Sequence, residues 1–199
     1  SHFDLTAQLS GGLTSAGEWV GSLEQLENRG EKPFSMSGSA ALRIASADVF
    51  SIEDLTLNQG GGHLNLDKLI KKHSRLETSG NARSIPLSWL LSLSEDASAK
   101  VSSTLTLGGD WSLRADHALS GEAHIYREDG DITLVGEENR FRLRLNALDV
   151  RALFSNSNMD VHLKASSNRL GDTDASLKTR LAYRHGSWGI FKDSPIQLA

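Results

Sequence analysis

Period-two alternation of apolar and polar residues runs through most of the chain. From Arg140 the sequence reads Arg-Phe-Arg-Leu-Arg-Leu-Asn, which puts Phe141, Leu143 and Leu145 on one face of a strand and Arg140, Arg142 and Arg144 on the other. Met159, Val161 and Leu163 alternate with Asp160, His162 and Lys164, and Leu177, Thr179, Leu181 and Tyr183 with Lys178, Arg180, Ala182 and Arg184. Ala123 and Ile125 alternate with Glu122, His124 and Tyr126. The first half repeats the pattern at Phe3, Leu5, Ala7 and Leu9 and at Met36, Gly38, Ala40, Leu42 and Ile44. Turn signals separate the runs: Gly11-Gly12, Asn28 to Gly30, Gly60 to Gly62, Gly108-Gly109, Asp129-Gly130-Asp131, Gly136, Asn156 to Asn158 and Gly171-Asp172. Spacings of roughly 8 to 15 residues suit antiparallel hairpins and leave no room for crossover helices.

One segment breaks the period. Ile85-Pro-Leu-Ser-Trp-Leu-Leu-Ser-Leu has apolar residues at helical spacing, Ser84 as an N-cap and Pro86 in the first turn, which predicts a short helix over 86–93. The halves around it look alike. Gly17-Glu18-Trp19 and Gly109-Asp110-Trp111 each open one, and Leu-x-Leu pairs follow at Leu55/Leu57 and Leu64/Leu66, then at Leu143/Leu145. This is a weak repeat, 1–98 and 99–199, with a polar seam at Glu95 to Ala99. Bulges are expected at Ala147-Leu148 and between Leu107 and Trp111, where alternation slips.

Strands with a single apolar face must cover it, by a second sheet, by closure into a barrel, or with an external apolar partner such as lipid. The outer faces, with Arg140, Arg142, Arg144, Lys164, Lys178, Arg180, Arg184, Glu122, Asp131 and Asp160, carry enough charge to stand in water. Only 6% of residues are aromatic, fewer than a sandwich core wants as packing anchors, which tilts the reading towards an open or lipid-filled interior. A net charge of -4 supplies no counterion-release drive for nucleic acid. The absence of cysteine excludes thiolate chemistry, Cys-based zinc sites and disulfides. The longest apolar stretch, Ile85 to Leu93, is far short of the roughly 20 residues of a membrane span. Ser1-His2 reads as a vector remnant, so a piece excised from something longer is expected, without a leader or anchor of its own.

No Gly-x-Ser-x-Gly elbow, His-Glu-x-x-His pair, Walker loop or EF-hand loop is present, so no enzyme, cofactor or metal is expected. Gly60-Gly61-Gly62 joins two strands and reads as a hairpin turn rather than a phosphate cradle. Glu128, Asp129 and Asp131 could hold calcium but read better as a solvated acidic turn. His63, His117, His124, His162 and His185 fall in separate turns or on water-facing positions; His124 and His162 could meet across neighbouring strands, though solvated histidines are the better reading. The Arg140 to Arg144 stripe reads as a wet strand face rather than a headgroup grip. Trp19, Trp89, Trp111 and Trp188 fit a lipid rim and core packing equally.

A series of motifs resembles one family. Leu105-x-Leu-x-Gly-x-Trp111, Leu119-x-Gly121, Arg127-x-x-Gly130-Asp131-Ile132, Phe141-x-Leu-x-Leu145-x-x-Leu148, Arg169-Leu170-Gly171 and Trp188-x-Ile190 resemble, in order and spacing, inner repeats of the TamB family. These are the translocation and assembly module proteins of Gram-negative bacteria, with AsmA-like and bridge-like lipid transfer proteins as near seconds. Trp19-x-Gly21-x-Leu23, the Phe34 to Ile44 run, Leu55-x-Leu57 and the Ile85 to Leu91 segment look like the preceding unit, so the resemblance covers nearly all the chain. It implies a periplasmic segment of a protein anchored in the inner membrane, with a long antiparallel amphipathic sheet curled into an open, taco-like groove. Such a groove would carry phospholipid towards the outer membrane, in a protein that also serves outer-membrane protein assembly with a TamA-like barrel partner contacted through other parts of the full-length chain. The expected lining is Leu42, Ile44, Leu55, Leu57, Leu64 and Leu66 in the first unit. In the second it is Leu105, Leu107, Trp111, Leu113, Ala123, Ile125, Ile132, Leu134, Phe141, Leu143, Leu145, Met159, Val161, Leu163, Leu177 and Leu181. At roughly 25 cal/mol per Å² of apolar area, even part of one acyl chain gains several kcal/mol there. Two other readings stand beside this one: a scaffold pairing with nascent outer-membrane strands through a sheet edge, and a closed β-sandwich that binds a soluble ligand.

Overall fold

The computed structural model describes residues 4–92, 101–135, 140–184, 187–190 and 196–198. Over these residues the chain is all-β, as the alternation predicts, with a single short helix. The first half holds β1 (Leu5–Leu13), β2 (Trp19–Asn28), β3 (Phe34–Ser37), β4 (Ala40–Ser46), β5 (Val49–Gln59), β6 (Gly62–Lys72), β7 (Arg75–Pro86) and α1 (Leu87–Ser92). The second holds β8 (Val101–Ser103), β9 (Thr106–Ala115), β10 (Leu119–Asp129), β11 (Ile132–Val135), β12 (Arg140–Arg142), β13 (Leu145–Ser155), β14 (Asn158–Ser167) and β15 (Gly171–Arg180). It ends with β16 (Ala182–Arg184), β17 (Ser187–Gly189) and β18 (Ile196–Leu198). Phe3, Leu93, the Glu95 to Ala99 seam, Gly136 and His185 lie outside the described residues.

One open antiparallel sheet of 13 strands runs β1-β2-β3-β5-β6-β7-β9-β10-β13-β14-β15-β18, with β4 continuing β3 between β2 and β5. Two excursions interrupt the meander. After β7 the chain makes α1 and β8, and after β10 it makes β11 and β12; β8, β11 and β12 form a small side sheet. The main sheet nevertheless passes straight through the middle of the chain, because β7 pairs with β9 from Leu76↔Ala115 to Pro86↔Thr106. Two-residue turns set much of the register. Gly60 and Gly61, at φ 54° and 94°, close β5 onto β6 by the left-handed turn that suits a hairpin's twist, and Asn156-Ser157, at φ 48° and 64°, does the same for β13 and β14.

Several local expectations are corrected. Gly11-Gly12 and Gly108-Gly109 are not turns; they lie inside β1 and β9. Close approach explains two of them: a Cβ on Gly11 would stand 2.7 Å from the Trp19 ring, and one on Gly109 2.6 Å from the His124 carbonyl oxygen. The Arg140 to Asn146 run is not one strand. It breaks at Leu143 and Arg144, where Arg144 takes φ 55° and Asp131 accepts hydrogen bonds from the backbone N–H of Arg144 and Leu145 at 2.9 and 3.0 Å. The helix starts at Leu87, and Ser84 is no N-cap: at φ 52°, its backbone N–H and hydroxyl both donate to Glu128 Oε2, at 2.7 and 2.9 Å. The Leu177 to Tyr183 run ends at Arg180, after which the Leu181 N–H turns to the Ser157 carbonyl. The acidic turn is solvated only at Asp129, whose side chain is 91% exposed; Asp131 is 6% exposed and the Glu128 carboxylate is taken by Ser84. One bulge falls between Leu145 and Ala147; near Leu107 the irregularities are on the partner strands, at Arg127/Asp129 and Ala82/Ile85.

Candidate functional site: the apolar face and the cavity beneath the helix

Directly paired residues share a face, so the register can be followed across the sheet. From the β1 edge, Leu9↔Leu23↔Ala40 and Gly21↔Leu42↔Ile52↔Leu69↔Thr78↔Leu113 lie on one side. So do Met36↔Leu57↔Leu64↔Ala82↔Gly109↔Ile125↔Val150↔Leu163↔Ala175, and beyond Trp111 the path Ala123↔Ala152↔Val161↔Leu177↔Leu198. Slips in alternation are absorbed locally. Glu24 is the extra residue opposite β1, and Asp54 and Asp67 stand out of the β5–β6 pairing, so Leu26, Ile52 and Leu69 return to the common side. The first-half core, Leu23, Ala40 and Leu55 with Leu26, Met36, Ile52, Leu57 and Leu66, lies on that side.

Sixteen of the expected lining residues share it: Leu42, Ile44, Leu55, Leu57, Leu64, Leu66, Leu107, Trp111, Leu113, Ala123, Ile125, Leu145, Met159, Val161, Leu163 and Leu177. The rest do not sit on the main sheet. Ile132, Leu134 and Phe141 belong to the side sheet, and Leu105, Leu143 and Leu181 to connections. Leu105 is 1% exposed and its carbonyl accepts the Leu87 N–H at the start of α1, so it anchors the helix.

A cavity of about 490 Å³ opens on this side. Phe34, Leu57, Leu64, Ala82, Ile85, Leu107, Trp111, Ala123 and Ile125 line it from six successive strands, Trp89 and Leu90 of α1 complete the wall, and Lys32 and Gln59 stand at its β3 end. The Trp111 indole lies against Gly80 and its N–H donates to Thr78 Oγ1 at 3.1 Å, which fixes the ring in the lining. The segment from 85 to 92 was legible as a breaker of the period; that it returns over the sheet's apolar side was not, because Leu105 and Glu128, which hold its start, are remote in sequence.

The opposite side is polar. One lateral row reads Asn65, Asn81, Asp110, His124, Arg151, His162 and Ser176. Arg151 thus separates His124 from His162, which do not meet. His124 is not simply solvated: its Nε2 lies 2.7 Å from Asp149 and its Nδ1 3.6 Å from Asp110, while Arg151 Nε donates to Asp149 at 3.1 Å. His162 lies 3.1 Å from Asp160, which Lys178 also meets at 3.1 Å. These partners sit on neighbouring strands or two positions along, so no local spacing announces them. Among the described residues no group of three or more His, Asp or Glu side chains is disposed to hold a metal ion.

The hydrogen bond from His124 is the main reason the Asp149 carboxyl titrates below the ordinary carboxylate range; Arg151 adds to it against the opposing effect of burial. His124→Ala should therefore raise the Asp149 pKa towards the ordinary value near 3.9, with Arg151 retaining part of the depression. A carboxyl-carbon NMR titration reads this directly, and an unmoved Asp149 would reject the assignment.

No protein-family model matches the chain, and neither curated proteins nor solved structures provide a match to it.

Proposed function

We propose that this chain is a periplasmic segment of a TamB-like protein, anchored in the inner membrane by other parts of that protein, and that its sheet forms a hydrophobic groove carrying phospholipid between the inner and outer membranes. The observation that carries the reading is the register: apolar side chains from β1 to β18 fall on one side of an open sheet, while Arg151, His162, Lys164 and Lys178 fall on the other. Among the described residues the other two sheets have only three and two strands, and Leu9, Ile44, Ile125 and Leu198 on the apolar side stay 40% to 78% exposed. This weighs against the closed sandwich. Backbone groups stay paired along the sheet while acyl chains lie across it, and transport asks for no catalytic residue. In the full-length protein, outer-membrane protein assembly with a TamA-like partner would be a second task.

The scaffold reading has one specific observation in its favour. Every residue of β1 is exposed, and the strand carries no charge and no proline, so its free edge lacks the usual protection against pairing with another strand. Photo-crosslinking in cells separates the two. Probes at Leu57, Val150 and Leu163 face the apolar side and probes at Arg151 and His162 the polar side. Lipid adducts from the first set alone are expected; protein adducts from β1 without lipid anywhere would replace the groove with a strand-docking scaffold. Leu143 is a poor probe, because it lies in the break between β12 and β13.

A further inference from the structure

We infer that the cavity beneath α1 seats one acyl chain of an anionic amphiphile, with its acidic head at Lys32. The inference rests on the groove reading and adds to it a fixed station and a head-group charge.

Length comes first. The lining comes from β3, β5, β6, β7, β9 and β10, and five inter-strand spacings of about 4.8 Å make roughly 24 Å. One leaflet's acyl chain covers about half of a hydrocarbon core of roughly 30 Å, so a whole chain fits. The volume is that of a small-molecule site. Trp89 and Leu90 of the one helix among the described residues give this stretch a wall, so a chain lying here is flanked on a second side rather than merely adsorbed.

The two ends differ in charge. Lys32 is the one lysine or arginine among the described residues that line the cavity. It forms no ion pair with a described residue, whereas the nearby Arg29 is committed to Glu27. Its place is built by Asn28, which is 1% exposed: the side-chain amide donates to the Lys32 carbonyl at 2.8 Å, and Oδ1 accepts the N–H of Gly30 and of Asp4 at 3.1 and 3.0 Å. That buried asparagine folds the loop so that Lys32 and Phe34 both reach the cavity. The carboxylate in the lining, Asp110, belongs to β9, four strands away, and register turns it with His124 to the polar side. An anionic head is therefore favoured at the β3 end, and the tail runs towards Ile125, which is 46% exposed and leads on to β13.

The test titrates the whole chain with palmitate, hexadecyl phosphate, hexadecanol and hexadecyltrimethylammonium, each below its micellar concentration, by displacement of a fluorescent fatty acid. Palmitate and hexadecyl phosphate should bind about fivefold more tightly than hexadecanol, the effect of one lysine on an anionic lipid surface, and the cation should bind weakest. Lys32→Gln should erase the preference and Lys32→Glu reverse it, with hexadecanol binding unchanged in both. Ala82→Trp should fill the cavity and weaken all four, and circular dichroism confirms that it folds. Equal binding of all four ligands to the natural sequence, or a preference that survives Lys32→Glu, overturns the head-group assignment alone. Failure of every ligand to bind the folded chain overturns the groove reading beneath it.

Discussion

Replacing Asp131 with alanine is expected to destabilise the fold by about 3–5 kcal/mol, measured as a fall in the denaturant midpoint at neutral pH. The carboxylate ties the side sheet to the main sheet. Oδ1 accepts the N–H of Ile132 at 2.8 Å and of Leu145 at 3.0 Å; Oδ2 accepts the N–H of Arg144 at 2.9 Å and Arg142 Nε at 2.8 Å. The backbone of Asp131 also pairs with Thr104, whose N–H donates to the Asp131 carbonyl at 3.0 Å and whose hydroxyl accepts the Asp131 N–H at 3.1 Å. The Arg142 side chain is 67% exposed, so the ion pair itself contributes little. The loss comes from the backbone donors left without an acceptor at a site that is only 6% exposed. Asp131→Asn keeps one carbonyl oxygen and should lose about half as much. Burial works against the ionised form here, but the four hydrogen bonds together outweigh it and hold the Asp131 carboxyl below its ordinary range. A carboxyl depressed in the folded state contributes stability above its unfolded pKa near 3.9 and loses it as the pH falls through the folded value. The alanine variant should therefore show a shallower loss of stability below about pH 4 than the natural sequence. A neutral-pH midpoint within about 0.5 kcal/mol of that sequence would reject Asp131 as the tie.

What the sequence makes legible is periodic, and what it hides is remote. The runs at 123–125, 159–163 and 55–66 name their own face, because side chains two apart along a strand share it whatever the partner. The side sheet is invisible by the same logic. Phe141 and Leu143 alternate as cleanly as Val161 and Leu163, yet the strand breaks after Arg142 because Asp131, more than ten residues upstream, captures the N–H groups that would have continued it. Gly108-Gly109 has the composition of a turn and the position of a strand centre. Nothing within the segment distinguishes a glycine that bends the chain from one that admits a neighbour. Ser84 shows the converse, a cap residue by type whose backbone and hydroxyl are instead taken by Glu128, 44 positions away. For the cavity, the lining leucines were legible and the wall was not: α1 was readable as a helix and Asn28 to Gly30 as a turn, but nothing local says that Leu105 holds the start of the helix or that the turn carries Lys32 to the cavity.

Gly80→Ala tests whether the centre of the sheet is built on a glycine chosen for closeness. Gly80 lies on β7 between Leu66 of β6 and Trp111 of β9, and a Cβ there would stand 2.2 Å from the Asn65 carbonyl oxygen and 2.6 Å from the Trp111 ring. Neither distance is tolerable, so one of the neighbours must move. The indole could lift into the cavity, but the carbonyl belongs to β6 and moves only with that strand. A loss of roughly 2–4 kcal/mol is expected from overpacking together with disturbed β6–β7 pairing. Removing the ring separates the two contributions. In Gly80→Ala with Trp111→Ala, a clash confined to the indole would disappear, and the double variant would be no less stable than Trp111→Ala alone. The backbone contact at 2.2 Å predicts otherwise: alanine at 80 should destabilise the Trp111→Ala background almost as much as the natural one. The same pair of variants bears on binding. If Trp111 is pushed into the cavity when Gly80 gains a methyl group, Gly80→Ala should weaken palmitate binding at temperatures where the variant is still fully folded. Removal of the ring should restore that binding without restoring stability. Unchanged binding in folded Gly80→Ala would mean that the backbone yields and the indole stays where it is, leaving the cavity intact.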